Sequence, residues 1–154
     1  MAAPTRLLGW REWVGLPDLG IERIKAKVDT GARSSAIHAY RVERFERDGQ
    51  AFVSFSLHPV QGDSDQTVEC EAPLLEQRLV RDSGGHEELR YVIRTRIQVG
   101  SEVIDADATL TDRDSMKFRM LLGRTAIRGR FVVDPARSYL SSRRHPAASR
   151  KGKK

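Results

Sequence analysis

A chain of 154 residues, 39% hydrophobic and 31% charged, has the length of one globular domain and can bury a core without disulfide or metal staples. Its one cysteine, Cys70, excludes an intrachain disulfide framework and a multi-thiolate metal site, and no apolar run approaches the roughly 18 residues of a membrane span. Six of the 27 lysines and arginines lie in residues 141–154, which hold no acid, so the formal charge of +6 belongs to that end and 21 bases face 21 acids elsewhere. The expectation is a cytoplasmic protein with no membrane segment, a folded domain over 1–140 and a disordered basic tail over 141–154. Such a tail suits nucleic acid, ribosome or an acidic partner through counterion release.

Short apolar runs separated by turn signals, with no sustained 3.6-residue period, predict an all-β body with one or two short helices. Leu7 to Trp13 leads into a turn at Gly15-Leu16-Pro17-Asp18. Ile21 to Val28 then places Ile24, Ala26 and Val28 on one side of a strand that ends at Asp29. Strands at 41–46 and 51–57 flank Asp48-Gly49, the strongest hairpin signal in the chain. Thr67 to Ala72 aligns Val68, Cys70 and Ala72, so Cys70 reads as a small buried hydrophobe. Residues 78–81 and 89–99 read as a hairpin with Asp82-Ser83-Gly84-Gly85-His86 at a loose tip. Glu102 to Thr111 is a further strand, a short helix follows Gly123, Phe131-Val132-Val133 is a last buried strand, and Tyr139-Leu140 is an edge.

Several chemistries lack their residues. The histidines His38, His58, His86 and His145 are not at metal-ligand spacing, and Arg90 stands where a second histidine of an H-E-x-x-H motif would be. There is no P-loop, no G-x-G-x-x-G and no nucleophile elbow. No metal and no cofactor is expected. The segment that stands out is Lys27-Val28-Asp29-Thr30-Gly31-Ala32-Arg33-Ser34-Ser35, a carboxylate closing an apolar strand and followed by a hydroxyl residue and a glycine. Taken alone, Asp-Thr-Gly is a common turn. Its meaning changes with Met120-Leu121-Leu122-Gly123-Arg124 near the other end of the same body.

Together with Arg90-Tyr91-Val92-Ile93, Asp112-Arg113 and Phe131-Val132-Val133-Asp134, these segments resemble the retropepsin-like aspartic protease family. The resemblance spans roughly residues 7–140 and is nearer to a bacterial branch labelled ATP-dependent zinc proteases, associated with ATP-grasp glutamate ligases. It implies a closed, mostly antiparallel β-barrel and a catalytic Asp29. Thr30, Gly31, Ala32, Leu121, Leu122 and Gly123 would support the catalytic loop. It also implies a homodimer, because one chain supplies one Asp-Thr-Gly and the chemistry uses two carboxylates sharing a proton, one as base and one as acid. By order along the chain Ser83, Gly84 and Gly85 would form a flap, and Arg124 an ion pair at the dimer interface. The zinc and ATP words of that label have no residues here to support them. The expected activity is hydrolysis of peptide bonds in a peptide or protein substrate, with glutamate-modified chains suggested by the ligase association. The alternative is a non-catalytic peptide-binding or adaptor module on the same fold.

Overall fold

The computed structural model describes residues 6–58, 67–81, 84–111 and 118–141. Its strands in chain order are β1 (Arg6–Leu8), β2 (Arg11–Leu16), β3 (Ile21–Val28), β4 (Ser35–His38), β5 (Tyr40–Arg47) and β6 (Gln50–Leu57). They continue with β7 (Val68–Arg81), β8 (Glu87–Val99), β9 (Glu102–Thr111), β10 (Met120–Leu122) and β11 (Phe131–Val133). A 3-10 turn at Pro17–Leu19 and a helix α1 (Arg124–Ile127) are the helical pieces among the described residues, so the all-β expectation with one or two short helices holds. The run expected from Leu7 to Trp13 divides into two strands. It breaks at Gly9, where a Cβ would stand 2.2 Å from the Arg137 carbonyl oxygen and only glycine fits.

Nine strands form one sheet in the order β2-β3-β10-β4-β9-β8-β7-β6-β5, and β1 pairs with β11 apart from it. β2 also meets β8 at one residue pair, Gly15↔Gln98. The expected antiparallel pairing is corrected to a mixed sheet, and the β2–β8 pair brings together the two ends of the run β2-β3-β10-β4-β9-β8. β3 runs into the Asp29 loop and β4 runs back out of it in the opposite direction, so β10, which enters between them, runs parallel to β3 and antiparallel to β4. β4 and β9 are also parallel, as are β1 and β11.

Period-two alternation places the core. On β3 the side chains of Ile24, Ala26 and Val28 are buried while Arg23, Lys25 and Lys27 turn outward. On β9 Ile104, Ala106, Ala108 and Leu110 point inward, and all four residues of β4 are buried, as a strand at the centre of a covered sheet requires. The β5–β6 hairpin turns through Asp48 and Gly49, both at positive φ (54° and 80°), the geometry of a type I′ turn. β5 is the sheet's edge, and Arg41, Glu43, Arg44, Glu46 and Arg47 guard it against further pairing.

The two ends of the described chain are locked together by Glu12, whose fully buried carboxylate accepts from Gly9 N (2.6 Å), Leu140 N (2.8 Å), Ser141 N (3.0 Å) and Ser141 Oγ (2.7 Å). Tyr139-Leu140, expected as an edge strand, is instead the segment this carboxylate captures. Residues 142–154 of the basic tail lie outside the described residues.

Candidate functional site

Asp29 begins the loop between β3 and β4 and is half-buried. β10 lies beside β3 in the register Leu121↔Lys27 and Leu122↔Val28, and the Asp29 N–H continues that ladder by donating to the Leu122 carbonyl at 2.9 Å. The loop then closes on itself: Ala32 N donates to the Asp29 carbonyl (3.2 Å), and Gly31 N donates to Asp29 Oδ1 (3.1 Å). This is an Asx-type turn, in which a short acidic side chain satisfies the backbone two residues on.

The second segment clamps the first. Arg124 N donates to the Ala32 carbonyl (2.7 Å), Thr125 N to the Arg33 carbonyl (3.0 Å), and Gly123 N to Ser35 Oγ (3.0 Å). Gly123 is obligatory, since a Cβ there would stand 2.4 Å from the Ser34 carbonyl carbon and oxygen. The Arg124 guanidinium donates to the Thr30 carbonyl at 2.9 Å, within the same chain, and forms no ion pair with a described residue. Asp29, Thr30, Gly31, Ala32, Leu122, Gly123 and Arg124 are thus brought together as the two motifs led one to expect. Ser34 and Ser35, which end the segment singled out in the sequence but had no role assigned there, belong with them, as does Arg78, which the sequence did not mark.

The β7–β8 hairpin reaches this loop through its stem, where Arg78 Nη1 donates to Ser34 Oγ at 2.9 Å. Arg78 also pairs with Glu76, and its direct cross-strand neighbour Arg90 pairs with Glu88 at 3.1 Å. Gly84 and Gly85 stand exposed at the tip, Gly85 with φ 87°, and Ser83 lies outside the described residues. Cys70 is buried as expected, and burial pushes its thiol up to about 11, so it is a core residue and not a nucleophile. Among the described residues no group of three or more His, Cys, Asp or Glu is placed to hold a metal ion.

Residues 7–144 match the model of the RimB-like family, described as retropepsin-like aspartic endopeptidase RimB. The chain belongs to this family. The zinc-protease label expected for its branch is not the one the match carries.

Relatives of known name are of a different kind. A chain from Desulfotalea psychrophila is 45% identical over 131 residues, 85% of this chain, and is named "Probable alpha-L-glutamate ligase". Chains from Shewanella pealeana (44% over 133 residues, 86% of this chain) and Parasynechococcus marenigrum (47% over 133 residues, 86%) carry the same name. This chain spans only 28 to 29% of their lengths. A crystal structure from Legionella pneumophila, of a protein described as of unknown function, superposes with a TM-score of 0.75 at 26% identity, covering 90% of this chain and 99% of that one.

The expectation of a peptide-hydrolysing aspartic enzyme is corrected by these names, which speak of joining glutamate and not of cleaving peptides. The geometry shows why the motif alone did not decide the chemistry. The hydrogen bonds that hold Asp29 are those of an Asx-type turn, which fixes a loop whether or not a second carboxylate faces it.

Proposed function

We propose that this chain is a peptide-binding module of a glutamate-ligation system, taking a glutamate-bearing peptide against the Asp29 loop and working with an alpha-L-glutamate ligase. The observation that carries the reading is the 44 to 47% identity shared with ligase-named chains in which this domain is one part of a longer polypeptide. A ligase that extends an acidic peptide gains from a second surface that holds it. The charge at the loop fits that ligand: Arg33 and Arg124 are both exposed, and neither pairs with a described acid. Guanidinium groups take carboxylates in a bidentate fork. A second copy of the chain was called for only by two-carboxylate hydrolysis and has no part in this reading.

The test is fluorescence anisotropy of the full chain with labelled oligoglutamate and, as control, oligoglutamine. Oligoglutamate should bind at least about tenfold more tightly, and Arg33→Ala with Arg124→Ala should remove most of that preference. Equal binding of the two peptides, or a preference untouched by the double substitution, overturns the proposal.

A further inference from the structure

Several arginines along β5–β8 are neutralised locally: Arg44 pairs with Glu46, Arg47 with Glu71, Arg81 with Glu87 and Arg94 with Asp107. The outward face of β2–β3 is different. Arg11, Arg23, Lys25 and Lys27 project from it, with Arg11↔Lys27 and Trp13↔Lys25 as direct cross-strand neighbours. None of the four cations forms an ion pair with a described residue. The neighbouring acids do not answer them, since Glu12 is buried in its own hydrogen bonds and Glu22 sits at the start of β3.

Aromatic rings are interleaved with these charges. The Arg11 guanidinium lies 4.6 Å from the Trp10 ring centroid and 5.1 Å from that of Tyr139. Tyr139 stacks on Trp13 at 5.9 Å and 19°, and Arg23 covers Trp13 at 4.4 Å, with Lys25 at 5.5 Å. Arg23 Nε is buried with no hydrogen-bond partner among the described residues. A guanidinium held flat against a ring on one side offers its other face as a plane, and its remaining N–H groups as donors.

We infer that the β2–β3 face, built of Arg11, Trp13, Arg23, Lys25, Lys27 and Tyr139, binds a single-stranded nucleic acid. Unpaired cations spaced along two strands match a run of phosphates, and the planar guanidinium and indole stack matches bases, which carboxylates of an acidic protein do not use. Apart from Lys27, which opens the Asp29 segment, the face shares no residue with the Asp29 loop motifs, and it rests on none of the ligase comparisons. Residues 142–154, with six further bases, follow directly in sequence on the segment that carries Tyr139.

The experiment is anisotropy of the full chain with a labelled oligouridine of about 12 nucleotides, followed by tryptophan quenching and repeated between about 50 and 200 mM salt. The expected results are quenching on binding and a log–log salt slope of about −3, for roughly four phosphates neutralised on a single strand. Arg11→Glu with Lys25→Glu should weaken binding at least about tenfold while the thermal melt and oligoglutamate binding stay as in the wild type. Trp13→Leu, which keeps every charge, should abolish the quenching and weaken binding by about tenfold. Three results would each overturn the proposal: no binding at the lowest salt, undiminished binding by the charge-reversed variant with all affinity lost on removing residues 142–154, or displacement of the RNA by oligoglutamate at equal charge.

Discussion

Around Asp29 the chain is held by main-chain hydrogen bonds and by backbones in near contact, whereas along β5–β8 it is held by strand register and by ion pairs at the surface. The loop contacts are few and cross the sequence, joining residues 29–35 to residues 122–125. The hairpin contacts are many and local, with Arg78 and Glu76, or Arg90 and Glu88, two residues apart on one strand. Buried contacts with no substitute carry large energies and fixed geometry, while exposed ion pairs carry little and tolerate change. The difference places the Asp29 loop, the candidate site, where main-chain contacts between distant segments set its geometry.

The largest effect expected from breaking this contrast is at Glu12. Glu12→Ala strands three buried N–H groups and a hydroxyl and opens a cavity, which should cost about 4 kcal/mol and lower the melting temperature by roughly 10 °C. Removing an exposed partner on the hairpin, as in Glu71→Ala, should shift the melt by no more than about 2 °C. Equal losses in calorimetry would erase the distinction drawn between buried contacts and exposed ion pairs.

Gly123→Ala comes next and acts on the site itself. A methyl group 2.4 Å from the Ser34 carbonyl must push the two halves of the loop apart, at about 2 to 3 kcal/mol. Its signature is local: hydrogen exchange should accelerate at the N–H groups of Asp29, Arg124 and Thr125, and not along β7–β8. Protection that stays unchanged at those three amides would mean that the close approach does not set the loop.

What was legible in the sequence follows the same division. Strands whose side chains alternate, such as Ile21–Val28 and Glu102–Thr111, were readable to the residue, and the Asp48-Gly49 turn announced its hairpin. The pairing of the Asp29 and Leu122-Gly123 segments was readable only because both motifs have a known arrangement together. β10 was not readable as a strand between β3 and β4, because three residues carry no periodicity. Glu12 was missed because a lone acid between Arg11 and Trp13 looks like any surface residue until its donors at Leu140 and Ser141, some 128 positions away, are known. The chemistry was read too far. A turn that holds a carboxylate in place is compatible with catalysis and with binding alike, and local spacing does not separate them.

The smallest effect belongs to an exposed pair that bridges distant parts of the chain. Asp18, in the 3-10 turn, accepts from the Arg96 guanidinium at 2.5 to 3.1 Å and from its N–H at 3.3 Å. The Arg96 side chain, foremost through its hydrogen bonds, holds the Asp18 carboxyl below the ordinary 3.8. A carboxylate depressed in the native state contributes its stability above the unfolded value and loses it as pH falls through the native one. Wild type and Asp18→Asn should therefore differ in melting temperature by a small, constant amount above about pH 5, and the gap should narrow from 3.8 downward. Both side chains are substantially exposed, so about 1 M salt should shrink the gap as well. If the gap survives both acid and salt, Asp18 contributes through the geometry of its turn and not through its charge, and the pair belongs with the buried contacts in kind though not in size.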